Sequence, residues 1–167
     1  MARYYAGIGS RETPPGVLET MTQIAAELEP MGFTLRSGHA VGADQAFEAG
    51  TSKKQIFVPW HGYNDAQVDN RTVWNGANPA TFRIAQDFHP AWDKLNYNAH
   101  RLLGRNVAIL GGMFLVDPAE FVVCWMPKGK QIGGTLHSLR IAKAAGIPIF
   151  NLWDKDGLDR LVAHISG

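Results

Sequence analysis

Short β-prone runs alternate with stretches of helical period, and this alternation restricts what the chain can fold into more than any other feature. Residues 4–8, 33–37, 54–58, 121–125 and 147–151 have the length and content of strands. The fourth run, Phe121-Val122-Val123-Cys124-Trp125, is apolar throughout, as a strand covered on both faces is. Between the first two, Val17, Leu18, Met21, Ile24, Ala25 and Leu28 recur at helical spacing. Thr13 is the expected N-cap there, Pro14 the first helical residue, and Pro30 and Gly32 the stop. A short helix is expected from the turn at 38–44 to Gly50. Residues 60–90 loosen into loops and short helical turns. Further helices are expected over 90–103, with Trp92, Leu95, Ala99, Leu102 and Leu103 on one side, over 134–145, and over 157–165 behind an Asp156 cap. Strand, helix and strand at this pace predict an α/β fold with a doubly wound parallel sheet and right-handed crossovers. One domain over 1–167 is expected, with a loop-rich and helical insertion around 60–118.

Composition narrows the function classes. The 167 residues are enough for one ordinary domain with a core of its own, so neither a metal nor a disulfide is needed to hold it. Cys124 is the single cysteine, which leaves no intrachain disulfide and no cysteine-rich zinc site, and its mid-strand position predicts buried packing. His61, His89 and His100 lack metal-ligand spacing, so no metal is expected, and no cofactor is implied. Lys and Arg number 16 against 15 Asp and Glu; the resulting +1 argues against a broad basic surface for duplex nucleic acid. No stretch approaches the ~20 apolar residues of a membrane helix, and the N-terminus lacks a signal-peptide layout. A soluble cytoplasmic protein with no membrane partner is expected.

Three loops fall where a parallel sheet places its ligand, at strand carboxyl ends with a helix just beyond. They are Gly7-Ile8-Gly9-Ser10-Arg11, then Ser37-Gly38-His39-Ala40-Val41-Gly42-Ala43-Asp44, then Lys128-Gly129-Lys130-Gln131-Ile132-Gly133-Gly134-Thr135. Glycine lets backbone approach a ligand closely, and the amides that open a helix carry partial positive charge that attracts phosphate. One such turn alone is an ordinary strand-to-helix connection; three, accompanied by Ser10, Arg11, Ser37, Lys128, Lys130 and Thr135, point to a phosphorylated ligand. Neither G-x-G-x-x-G nor the P-loop pattern is present, which disfavours a nicotinamide dehydrogenase and a P-loop NTPase.

Taken together, Gly9-Ser10-Arg11, the segment from Ser37 to Asp44, and Gly133-Gly134-Thr135 leading into Leu139-Arg140-Ile141-Ala142-Lys143-Ala144-Ala145-Gly146-Ile147-Pro148-Ile149 resemble the SLOG superfamily of Rossmann-like proteins. That superfamily includes the DNA-processing protein A (DprA/Smf) family and the LOG phosphoribohydrolases. The chain is most similar to small stand-alone DprA-like proteins of phage genomes, whose cytoplasm would be the host's. The resemblance covers residues 4–58 and 120–151; the middle third matches only in general features, among them Arg105-Asn106. It implies a nucleotide-type pocket across the three loops, with Gly133, Gly134 and Thr135 holding phosphate, and a homo-oligomer. Members bind single-stranded DNA, cleave nucleoside monophosphates, or sense nucleotides of the cyclic ADP-ribose kind. LOG-type hydrolases carry P-G-G-x-G-T-x-x-E; here Gly133-Gly134-Thr135-Leu136-His137-Ser138 has neither the extra glycine nor the acid.

The expected ligand-binding residues are therefore Gly9, Ser10, Arg11, Ser37, Gly38, His39, Gly42, Asp44, Trp60, Lys128, Gly133, Gly134 and Thr135. Amides of Gly9, Ser10, Gly133, Gly134 and Thr135 would meet phosphate, Arg11 would clamp it, and Asp44 or Ser37 would lie near a sugar. Asp44 reads equally as a helix cap. Arg36 reads more as a solvated charge than a ligand contact, His137 as solvent-facing, and Trp60 as either base-stacking or core. Arg71, Arg83, Arg101 and Arg105, interleaved with Asp65, Asp69 and Asp87, read as a solvated or interface face. The apolar side over 92–103 exceeds what a small sheet covers, which points to a subunit contact. The first functional reading is binding of a phosphorylated nucleotide, such as an ADP-ribose-type molecule, as a sensor or sequestering protein. The alternatives are DprA-like single-stranded DNA binding in recombination, and a nucleotide N-glycosidase using Asp44, Glu48 or Asp87.

Overall fold

The computed structural model describes residues 2–129 and 133–167. Strands β1 (Arg3–Gly7), β2 (Phe33–Ser37), β3 (Lys54–Val58), β4 (Val73–Asn75), β5 (Val122–Cys124) and β6 (Ile149–Asn151) form one parallel sheet in the order β4-β3-β2-β1-β5-β6. The chain winds outward from β1 to β4, then returns to lay β5 on the other side of β1. Where the winding reverses, the connections after β1 and β5 leave in opposite directions and open a crevice at the strand carboxyl ends.

Among the described residues six α-helices cover the sheet: α1 (Pro15–Leu28), α2 (Ala43–Ala49), α3 (Pro79–Asp87), α4 (Tyr97–Gly111), α5 (Gly134–Ala144) and α6 (Gly157–Ser166). The two-residue strand period sorts them into layers. Tyr5, Leu35, Val123 and Phe150 face α1, α2 and α6 through Met21, Ile24, Leu28, Phe47 and Leu161. Ala6, Phe57, Val122 and Cys124 face α3, α4 and α5 through Ala85, Val107, Ile109, Leu139 and Ala142. Cys124 is fully buried, and burial pushes its thiol up to about 12, so it stays a packing group.

The structure corrects several local expectations. The segment around 60–90 contains β4, paired with β3, and α3, whose N-cap Asn78 accepts from the Thr81 amide while the Thr81 hydroxyl accepts from the Asn78 amide. The helix expected over 90–103 begins at Tyr97, because Asn96 accepts the Ala99 amide at 2.8 Å and caps it there. It then runs to Gly111, so Trp92 and Leu95 precede it and its apolar side turns onto the sheet through Val107, Ala108 and Leu110. Pro14, not Thr13, is the N-cap of α1 and Pro15 its first residue; the Thr13 hydroxyl donates to the Ser10 carbonyl at 2.5 Å. Asp156 stands at the N-cap of α6, but its carboxylate pairs with Arg160 at 3.2 Å and caps no amide.

Two polar side chains expected in solvent are buried. Arg36 stacks on the Tyr4 ring at 3.8 Å and donates to Gln55 at 2.9 Å and to the Asp117 carbonyl, so its charge is held inside the fold by polar partners. His137 donates from Nε2 to the Ala85 carbonyl at 2.9 Å, and burial lowers its pKa.

Candidate functional site

A cleft of about 540 Å³ lies at the carboxyl edge of the sheet. Gly9, Ser10 and Arg11 form one wall after β1, Gly133, Gly134 and Thr135 form another at the start of α5, and Ala40 and Asp44 reach the floor from the turn before α2. The fourth side was not foreseen as part of the site. It is the apolar flank of α4 and the segment before it, with Leu95, Ala99, Leu102 and Leu103, ending in Arg105 and Asn106.

Packing explains the glycine at the first wall. A Cβ on Gly9 would lie 2.6 Å from the Ala43 Cβ, so only glycine lets α2 close against this loop. The loop is also internally bonded. The Ser10 amide donates to the Trp125 carbonyl at 3.3 Å, and the Glu12 amide donates to the Ser10 hydroxyl oxygen at 3.0 Å. The expectation that the Ser10 amide meets phosphate is thereby corrected: the strand ladder already takes it. Arg11 stands exposed at the mouth.

The second turn closes on its own carboxylate. Asp44 Oδ2 accepts from the Gly38 and Ala40 amides, both at 3.2 Å, so these amides face an anion supplied by the chain itself. Gly42, with φ of 98°, is the N-cap of α2, and Asp44 occupies the first helical turn, which corrects its reading as the cap. Behind it, buried Arg105 donates from Nη1 to the carbonyls of Gly38 and, at 3.1 Å, Phe57, and from Nε to Asn106 Oδ1 at 2.7 Å. A Cβ on Gly38 would come within 2.7 Å of Arg105 Nη1 and 3.0 Å of Asp44 Oδ2. Desolvation pushes the Asp44 carboxyl up to about 6, against the pull of Arg105 and the two amides.

Other expected residues lie outside the cleft lining, some bracing this turn and some engaged elsewhere. Ser37 is buried and donates to the Gly7 carbonyl at 2.6 Å, tying β2 to β1. His39 adopts φ of 60° and places Nδ1 3.0 Å from Glu48 and Nε2 3.2 Å from the Asn64 carbonyl. Gly42 packs its backbone against that of Arg11. Of the carboxylates considered for glycoside cleavage, Asp44 and Glu48 are thus engaged with partners, and Asp87 lies exposed at the end of α3. Trp60 stands behind the cleft residue Tyr63, edge-on at 5.4 Å. Lys128 is exposed, 3.8 Å from Asp154, away from the cleft lining. Lys130, also named with the third loop, lies outside the described residues.

The third turn differs. Gly133, with φ of 127°, is the N-cap of α5, and among the described residues no side chain caps this helix. Its opening residues, Gly134 and Thr135, face the cleft beside Asn106, whose Nδ2 would be 3.5 Å from a Cβ on Gly134. Because Asn106 Oδ1 accepts from Arg105, its NH2 group is the end turned toward α5.

Sequence reasoning underrated Arg105. Its position is legible in retrospect: it lies three residues after Leu102 and four before Ile109, on the stripe that α4 turns to the sheet, where a cation needs buried acceptors. Among the described residues no group of three or more His, Cys, Asp or Glu is arranged to hold a metal, and no helix is long and apolar enough to cross a membrane.

The architecture is that of a Rossmann-like domain with a cleft at its switch point. Two solved structures are similar to it. DNA processing protein A from Helicobacter pylori, described for its single-stranded DNA binding mode, superposes with a TM-score of 0.59 at 20% identity, covering 97% of this chain and 72% of that one. DNA processing protein A (DprA) from Streptococcus pneumoniae gives 0.54 at 18% identity, covering 98% of this chain and 56% of that one. At such identities the likeness is one of fold. No family model and no curated protein matches the sequence.

Proposed function

We propose that this chain binds single-stranded DNA in the manner of a DprA-like domain, seating one nucleotide in the cleft with its phosphate at the start of α5. The observation that carries the reading is the α5 N-terminus, capped by no side chain among the described residues and facing the same cleft as Arg11 and Asn106. Helix-opening amides hold an anion without a counter-cation, and an exposed guanidinium grips phosphate in bidentate fashion. The H. pylori protein of the same fold supports the choice of a single strand as ligand. Near-neutral net charge fits few phosphate contacts and no duplex affinity.

The cleft volume favours one second reading, a free phosphorylated nucleotide of the ADP-ribose type, since ~300–1,000 Å³ is the ordinary range of small-molecule sites. Fluorescence anisotropy with labelled oligothymidylate, labelled duplex, and ADP-ribose as competitor separates the two. The expected result is single-strand binding at low salt, with log K falling by about 0.7 per contacted phosphate per decade of salt, and little competition by ADP-ribose. Tight ADP-ribose binding without oligonucleotide binding makes the second reading the correct one. Binding of neither ligand overturns both.

A further inference from the structure

Along one rim of the cleft, rings and guanidinium groups alternate. Arg105 lies over the Tyr63 ring at 5.1 Å, Trp60 meets Tyr63 edge-on at 5.4 Å, and Arg101 lies 4.7 Å from the Trp60 centroid and 4.8 Å from that of Tyr97. Tyr97 ends the ribbon. Phe82 braces it edge-on at 6.1 Å, yet 63% of it is exposed. Arg101 is held by Asn98, and among the described residues no carboxylate pairs with it. Its neighbours on α4, Ala99 and Leu102, line the cleft, so the ribbon continues directly from it.

A braced, exposed ring next to an uncompensated guanidinium matches the chemistry of one nucleotide, with a π-face for the base and a cation for the phosphate. We propose that this ribbon is a second nucleotide subsite: the base next to the one in the cleft stacks on Tyr97, and the phosphate joining the two lies against Arg101. The inference rests on the single-strand reading of the cleft and deepens it. Every base has a π-face, so such a shelf would recognise strand continuity and length with little regard to sequence.

The test measures affinity for oligothymidylates of one to six nucleotides with the wild type, Tyr97→Ala and Tyr97→Phe. The wild type should gain affinity from one nucleotide to two. Tyr97→Ala should lose about fivefold or more of that gain while keeping its mononucleotide affinity and melting temperature, and Tyr97→Phe should restore it. A Tyr97→Ala protein with the full wild-type gain overturns the subsite and leaves the cleft reading intact. A wild type that binds no oligonucleotide of any length overturns the cleft reading and the subsite with it.

Discussion

The turns before α2 and α5 have the same local plan and opposite outcomes. Each follows a strand, each uses a glycine of positive φ as N-cap (Gly42 at 98°, Gly133 at 127°), and each helix carries a small residue next, Ala43 or Gly134. They diverge one residue later, where α2 has Asp44 and α5 has Thr135. Asp44 folds its carboxylate back onto the Gly38 and Ala40 amides and fills its own anion site. Thr135 has no charge to do so, and among the described residues no side chain caps its turn, which faces the cleft. A glycine turn into a helix is therefore only the frame of an anion site; the side chain at the second helical position decides whether the chain or a ligand supplies the anion.

The largest effect should come from opening the closed turn. Asp44→Ala orphans the buried Gly38 amide and the half-buried Ala40 amide and removes the carboxylate whose charge is felt by Arg105, at a cost of about 1–3 kcal/mol for a buried donor left without its acceptor. Urea denaturation at pH 7 measures it. A loss below about 1 kcal/mol would mean that Asp44 is not the latch described, and that the two turns differ less than their geometry suggests.

A smaller effect should come from closing the open turn. Thr135→Asp gives α5 the acid that α2 already has at the corresponding position. Negative charge in the first turn of a helix stabilises by about 0.3–1 kcal/mol, so thermal stability should rise slightly. Phosphate would now meet a carboxylate, and single-strand affinity should fall about tenfold or more. Unchanged affinity would place the DNA elsewhere on the domain.

The glycine loops, the α/β class and every strand except β4 were legible because apolar runs and glycine punctuation are local signals. The segment around 60–118 was less so, although Asn78-Pro79 and Asn96 are cap signals that mark the starts of α3 and α4. Strand β4 is three residues long, and its Trp74 reads as strand only once β3 lies beside it. Within the site, Gly9, Arg11, Gly133, Gly134 and Thr135 were found from pattern and do share a cleft. That Gly38 and His39 would instead brace the turn could not be read, because it depends on Asp44, Glu48 and Arg105 arriving from two helices, and the turn of Ser37 toward the Gly7 carbonyl depends on β1 lying beside β2.

The closed turn should also leave a pH slope with an unusual sign. A carboxyl held at about 6 in the fold and near 3.9 in the unfolded chain keeps its proton in the native state across that interval while the unfolded state has lost it. The native state then binds more protons, so stability falls as pH rises from about 4 to 6, by at most about 1.4 kcal/mol per pH unit from this group, and levels off above. Glu48, also raised by burial, acts in the same direction. Glu29, held down to about 2 by the Thr51 hydroxyl and the Ser52 and Lys53 amides, acts oppositely: its contribution is present above about pH 4.5 and is lost as pH falls toward 2. The Glu29 window barely overlaps that of Asp44, but His137, lowered by burial, acts oppositely within it, so the difference between the wild type and an Asp44 variant reports the α2 turn. Asp44→Asn keeps an acceptor for the two amides and removes this titration, so its stability curve should lose the Asp44 share of the falling slope there. Parallel curves for the two proteins over that interval would show that the carboxylate facing Gly38 and Ala40 is charged throughout, its charge held by the two amides and the field of Arg105.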